Sequence, residues 1–174
     1  MIRRPLAGRR FARRSALRAA FGALAGLAGA EAVGLVAPFL RVTRVAGLGG
    51  PVAAGRIDAL LASFAATNDR PIQNRAGRFF LLKAPGGIVA AYAKCTHLGC
   101  IVPFSEAEDR FHCPCHHSVY DKHTAVVLDG PAPKPLQLFH VADEGGTLVV
   151  DTNPLNVIDR RENRWDPAHL ELHV

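Results

Sequence analysis

The chain has 174 residues, a formal net charge of +6 and four cysteines. That length leaves room for one domain of ordinary size with appendages. The positive charge is confined: residues 1–44 carry nine arginines and one acid, Glu31, whereas residues 45–174 carry 12 basic and 14 acidic residues. The part beyond residue 44 is mildly acidic, which argues against a nucleic-acid footprint there.

Residues 1–18 hold seven arginines and no acid. Arg13-Arg14-Ser15-Ala16-Leu17-Arg18 resembles a twin-arginine export signal, and Arg9-Arg10-Phe11 is a second candidate pair. The next 22 residues, Ala19 to Leu40, contain a single charge, Glu31. About 20 apolar residues suffice to cross a bilayer. The segment is read as one retained transmembrane helix with its arginines on the cytoplasmic side. A cleaved signal is the competing reading, with Ala28-Gly29-Ala30 as a small-x-small site. Glu31 counts against the anchor, because a carboxylate in mid-membrane is costly. Gly22-x-x-x-Gly26 can pack against a partner helix, although so Gly-rich a stretch also produces that spacing by chance. Residues 1–44 are thus a signal and anchor, and residues 45–56 read as a flexible linker.

Ile57, Leu60, Leu61 and Phe64 fall at i, i+3, i+4 and i+7, which predicts a short amphipathic helix. From Pro71 the texture changes to short β-type runs broken by turns. Arg78–Lys83 and Ile88–Tyr92 flank Ala84-Pro85-Gly86-Gly87, a hairpin signal. Arg110–Cys113 and Val119–Tyr120 are two further runs. Leu136–Val141 and Thr147–Asp151 flank Asp143-Glu144-Gly145-Gly146, a second hairpin. The expectation is an all-β fold, an antiparallel domain over residues 57–151 with a subdomain inserted from about Lys94 to Pro135. Residues 152–174 are polar, lack a period and hold the lone Trp165. They are expected to form a tail lying on the domain or partly disordered.

All four cysteines sit in two runs, Cys95-Thr96-His97-Leu98-Gly99-Cys100 and Cys113-Pro114-Cys115-His116-His117-Ser118. Each run offers a Cys/His pair, Cys95/His97 and Cys113/His116, and one further cysteine, Cys100 and Cys115. Two thiolates and two imidazoles can hold a metal centre, and one known ligand set of this kind belongs to a [2Fe–2S] cluster with two His on one iron. His112, His123, His140, His169 and His173 have no ligand spacing and read as surface or satisfied residues. The double motif C-T-H-L-G-C and C-P-C-H-x-S, with 12 residues between, resembles the Rieske iron–sulfur protein family. The resemblance covers roughly residues 70 to 151.

That resemblance implies Cys95 and Cys113 as ligands of an inner iron and His97 and His116 as ligands of an outer one. It implies a disulfide between Cys100 and Cys115, and hence assembly or residence in an oxidising compartment. Ser118 and Tyr120 match positions that donate hydrogen bonds to cluster sulfurs in high-potential members. Gly130-Pro131-Ala132-Pro133-Lys134-Pro135-Leu136 resembles the proline-rich loop over the cluster in quinol-oxidising members, with Leu98 and Pro114 as walls. His117 departs from the family, which usually has Gly there. Thr124-Ala125 stands where a turn glycine is common.

The implied function is the electron-transfer Rieske subunit of a bacterial membrane quinol-oxidising complex of the cytochrome bc or bf type. Its partners would be quinol, a cytochrome b subunit, and a c-type cytochrome or copper protein as acceptor. The Rieske domain would lie on the outer, periplasmic side. His116, and second His97, would face the quinol and couple the electron to a proton. Two alternatives stand beside it: the Rieske small subunit of an arsenite-oxidase-like enzyme, and a zinc-stabilised interaction module using the same Cys/His ligands.

Overall fold

The computed structural model describes residues 7–40 and 48–174. Residues 1–6 and 41–47, which hold part of the arginine-rich leader and the start of the linker reading, lie outside the described residues. The chain divides into two compact units, Met1–Thr43 and Arg44–Val174.

The first unit contains one helix, α1 (Ala7–Leu40). Within it Arg13–Ala37 forms an apolar span of 25 residues, long enough to cross a membrane by length and composition. At 1.5 Å per residue that span measures about 37 Å, against about 30 Å of hydrocarbon. Leu17, Phe21, Leu24, Leu27 and Leu35 are all exposed along it. Arg13 and Arg14 stand at its start.

The second unit is mostly antiparallel β. In order it contains β1 (Pro51–Arg56), α2 (Ile57–Ala66), β2 (Ile72–Asn74), β3 (Phe79–Ala84) and β4 (Gly87–Tyr92). The insert follows, with β5 (Phe104–Ser105), β6 (Arg110–His112), β7 (Val119–Tyr120) and β8 (Val127–Asp129). The chain then returns through β9 (Leu138–Glu144), β10 (Thr147–Asp151), β11 (Val157–Ile158), a 3-10 turn at Pro167–His169 and β12 (Leu172–His173). The base sheet runs β1-β10-β9-β4-β3-β2, with β11 on β9 and β12 on β4. The insert is a separate four-stranded sheet, β5-β6-β7-β8.

Strands β3 and β4 explain how one sheet supports two cores. Successive side chains of a strand point to opposite faces. Phe79 and Leu81 of β3, with Ile88, Ala90 and Tyr92 of β4, pack with Leu60 and Phe64 of α2 and Phe139, Leu148 and Val150. Phe80 and Leu82, with Val89 and Ala91, face the other way and pack with Phe111, Cys113, Tyr120, Leu136 and Cys95. Both faces are covered, so these two runs are continuously apolar rather than alternating. The insert thus stands on one face of the β3–β4 pair.

Both hairpins form. Ala84 pairs with Gly87 across Pro85-Gly86, and Glu144 with Thr147 across Gly145-Gly146. Gly145 and Gly146 both have positive φ, 62° and 82°, as a tight two-residue turn between twisted strands requires.

Two stretches differ from the sequence reading. Residues 51–56, read as linker, form β1, paired with β10 from Pro51↔Asp151 to Arg56↔Thr147. Ala and Gly dominate this strand, so its composition signals flexibility while a partner strand fixes it. The tail is ordered structure: Val157 and Ile158 pair with β9, and Leu172 and His173 with β4.

The C-terminal strand is seated by a missing side chain. A Cβ at Gly87 would come within 1.8 Å of the Leu172 carbonyl oxygen and 2.8 Å of Leu170 Cδ1. Gly87→Ala is expected to lose about 1–3 kcal/mol of stability through overpacking. Urea unfolding measures that loss, and hydrogen exchange at residues 170–174 should rise with it.

Candidate metal centre

The two cysteine runs fold into the same backbone turn. In the first, Cys95 N–H donates to the Cys100 carbonyl at 2.8 Å and Gly99 N–H to the Cys95 carbonyl at 2.9 Å. In the second, Cys113 N–H donates to the Ser118 carbonyl at 2.8 Å and His117 N–H to the Cys113 carbonyl at 3.0 Å. The fifth residue of each turn has positive φ, 84° at Gly99 and 59° at His117. A left-handed residue other than Gly costs roughly 1–2 kcal/mol. His117 therefore occupies a glycine position at a cost. Its Nδ1 is 3.2 Å from His112 Nε2, and His112 Nδ1 is 3.0 Å from Glu108 Oε1, so a hydrogen-bonded chain holds it there.

A disulfide joins the turns, Cys100 to Cys115, with 6.6 Å between the Cα atoms. Cys95 and Cys113 remain as free, buried thiols. The Sγ atoms of Cys100, Cys113 and Cys115 also lie within 4.8 Å of one another, but two of them are spent on the disulfide. The His97 and His116 rings stand edge to face with centroids 4.7 Å apart. His97 Nδ1 is buried with no hydrogen-bond partner among the described residues, the condition of a donor atom turned towards a metal. Two free thiols and two imidazoles thus gather at one end of the insert. Leu98 is 71% exposed and Pro114 is exposed, so both flank the tip instead of packing as walls.

Hydrogen bonds set the charge of the thiols. Burial opposes ionisation of Cys95, yet hydrogen bonds from the Tyr120 hydroxyl, the His97 backbone, the Cys113 thiol and the Leu98 backbone hold it below the ordinary thiol range. Cys113 is pushed up, first by burial and then by the neighbouring Cys95. The Tyr120 hydroxyl lies 3.2 Å from Cys95 Sγ, and burial together with Cys95 drives its own pKa upward. Tyr120 thus keeps its proton, and its hydroxyl is placed to hydrogen-bond the Cys95 sulfur.

The proline-rich loop lies against both turns. Ala132 N–H donates to Ser118 Oγ at 3.1 Å, leaving the Ser118 hydrogen to donate elsewhere. A Cβ on Gly130, whose φ is +89°, would come within 2.6 Å of Ser118 Cα. Glycine is what lets these backbones approach. Thr96 Oγ1 donates to the Lys134 carbonyl at 2.6 Å and lies 3.4 Å from the Tyr120 hydroxyl. Asp121 and Thr124 are supporting residues outside the motif, and Thr96 is a motif residue whose contacts with the loop emerge only in the structure. Ala125, at φ 53°, fills the turn-glycine position, and Asp121 Oδ1 holds that turn by accepting from Thr124 N–H and Oγ1 at 2.7 and 2.6 Å. Of the histidines without ligand spacing, His112, His123 and His140 each have a partner.

An antiparallel β domain whose insert presents two free thiols and two imidazoles across a disulfide defines a mixed Cys/His iron–sulfur protein. Residues 64–140 match the family described as the Rieske [2Fe–2S] domain. This chain therefore carries a Rieske domain, and the cofactor of that domain is a [2Fe–2S] cluster. A zinc module is set aside accordingly.

The chain is 44% identical over 77 residues to the chloroplastic cytochrome b6-f complex iron-sulfur subunit of Bigelowiella natans. That match covers 41% of this chain and 29% of the relative. It is 53% identical over 58 residues to cytochrome b6-f complex iron-sulfur subunit 1 of Nostoc sp., covering 33% of this chain and 32% of that one. The matches thus span about a third of these relatives. Among solved structures, the cyanobacterial plasma membrane Rieske protein PetC3 from Synechocystis PCC 6803 aligns at 29% identity. It has a TM-score of 0.42, and the alignment covers 57% of this chain and 97% of that one.

The disulfide closes a separation of 15 residues, worth about 3 kcal/mol of unfolded-chain entropy. Cys100→Ser is expected to lower the apoprotein's stability by about that much and to speed cluster loss in the holoprotein. Urea unfolding and bleaching of the visible spectrum measure the two effects.

Proposed function

We propose that this chain is the Rieske electron-transfer subunit of a membrane quinol-oxidising complex of the cytochrome bc or bf type. The observation that carries the reading is the Tyr120 hydroxyl 3.2 Å from Cys95 Sγ, with Ser118 buried at the end of the second ligand turn. Hydrogen bonds to cluster sulfur stabilise the extra negative charge of the reduced form and raise the potential. A high potential is what the oxidation of a quinol demands. Similarity to cytochrome b6-f iron-sulfur subunits supports the same reading.

Cys95 and Cys113 would hold one iron, and His97 and His116 the other. The cluster, when bound, takes up and passes on one electron. Neutral imidazoles in place of two thiolates leave the centre less negative, and centres of this type lie at roughly −150 to +300 mV. His116 is exposed and His97 half-buried, so His116 is assigned the quinol-facing role and His97 the second. The ring nitrogen that faces the substrate would, in its unprotonated form, accept the hydrogen bond of the quinol hydroxyl and take its proton as the electron leaves the quinol. The Arg13–Ala37 span of helix α1 would anchor the chain, with the twin-arginine pair Arg13-Arg14 at its start and the domain on the periplasmic side of a bacterial inner membrane. A cytochrome b subunit would hold the quinol, and a c-type cytochrome or copper protein would receive the electron.

A potentiometric titration of the holoprotein tests the reading. The expected midpoint is positive and falls as pH rises through the histidine range; a low, pH-independent midpoint would overturn it. Tyr120→Phe and Ser118→Ala should each lower the midpoint with the cluster retained. His116→Ala should abolish the cluster signal, whereas His117→Gly should keep it. An intact signal in His116→Ala would transfer the ligand role to His117.

A further inference from the structure

Residues 141–174 lie beyond the stretch that matches the Rieske domain, yet one piece of them grips the insert. Asp159 Oδ1 accepts from Lys134 Nζ at 2.5 Å and from Gln137 Nε2 at 3.1 Å. Arg160, 1% exposed, sends Nη1 to the carbonyls of Thr124 at 2.6 Å and Leu136 at 3.3 Å. Its Nη2 reaches the Arg164 carbonyl at 3.4 Å, and its guanidinium carbon lies 5.8 Å from the Trp165 ring centre. Asn163 pairs with Val127 like a short piece of strand. Val127 N–H donates to Oδ1 at 2.8 Å, and Nδ2 donates to the Val127 carbonyl at 2.9 Å.

These contacts share one target. Lys134, Leu136 and Gln137 are at and just past the end of the proline-rich loop, Thr124 lies in the turn beside it, and Val127 opens β8. Leu136 N–H itself donates to the Ala125 carbonyl at 3.1 Å. The same loop touches one ligand turn through Thr96 and the other through Ser118. A buried guanidinium without a carboxylate partner among the described residues is costly. Here Nη1 and Nη2 are offset by three carbonyls and the cation by an indole face, while Nε stays buried without a partner among the described residues.

We propose that Asp159–Trp165 is a brace that positions the proline-rich loop over the cluster. Asp159, Arg160 and Asn163 are its positioning residues, and the shielding of the centre depends on the C-terminal segment as well as on the motif loops. The proposal rests on the ligand assignment made above.

The test uses the full-length protein and the variants Asp159→Asn, Asn163→Ala, Lys134→Gln and Arg160→Lys. Three quantities are read: hydrogen exchange at residues 130–136, the rate at which an iron chelator bleaches the visible spectrum, and the midpoint potential. Asp159→Asn and Asn163→Ala should each raise exchange and bleaching about threefold. The midpoint should shift in the same variants, with the thermal unfolding midpoint unchanged. Arg160→Lys keeps the charge but loses the planar fork, and should show the largest effect. Lys134→Gln added to Asp159→Asn should do no more than Asp159→Asn alone, because the Lys134–Asp159 ion pair is already lost there. Wild-type exchange and bleaching in both Asp159→Asn and Asn163→Ala would overturn the brace. These two exposed positions decide the matter even where an Arg160 variant does not fold. A wild-type protein lacking the Rieske spectrum would instead sink the ligand assignment. Exchange at residues 130–136 of the apoprotein would then still decide the brace.

Discussion

Two free thiols are held side by side in a buried place, where desolvation opposes negative charge, and the turns of the insert gather hydrogen-bond donors around them. Cys95 and Cys113 are both buried, and ionising either one there is opposed by desolvation. For Cys95, backbone N–H groups of its turn and the Tyr120 hydroxyl outweigh that burial, whereas Cys113 stays pushed up. Such donors are fixed only if the turns are fixed. The disulfide, the left-handed residues Gly99 and His117, and the proline-rich loop over both turns therefore serve the same end. A charge-stabilising shell of this kind favours whichever state of the centre is more negative, so structural support and redox tuning are one effect.

The site was legible because its chemistry is spaced in sequence. Four cysteines and two histidines in two runs of six residues name the candidate donors, and the structure pairs Cys100 with Cys115, leaves Cys95 and Cys113 free and sets the His97 and His116 rings side by side. The equivalence of the two turns was not legible. It emerges from hydrogen bonds one run makes to itself, and only then does His117 appear as the counterpart of Gly99. Its partner His112 reads from sequence as an ordinary surface histidine, because its place opposite His117 depends on the β6 register.

The fold was legible where composition and partner agree. The β3–β4 and β9–β10 hairpins have turn residues that force reversal and flanks that bury on folding. Strand β1, and the two short strands of a tail that was expected only to lie on the domain or be partly disordered, escaped the reading for a common reason. Pro51–Arg56 is Ala- and Gly-rich, and β11 and β12 are two residues each, so none carries a hydrophobic period of its own. Their order is conferred by β10, β9 and β4. A segment that lacks intrinsic preference but finds an open sheet edge is invisible to local pattern.

The same reasoning separates the two halves of the second unit. The base buries both faces of β3 and β4 and holds most of the large apolar side chains. The insert has short strands of two or three residues, and its stability comes from cross-links: one disulfide, the turn at Asp121, and the contacts of Asp159, Arg160 and Asn163. A unit held by few discrete ties can loosen locally while the base stays folded. Access to the centre is then set by those ties, and the tie most distant in sequence, from the C-terminal segment, acts on the loop that touches both ligand turns.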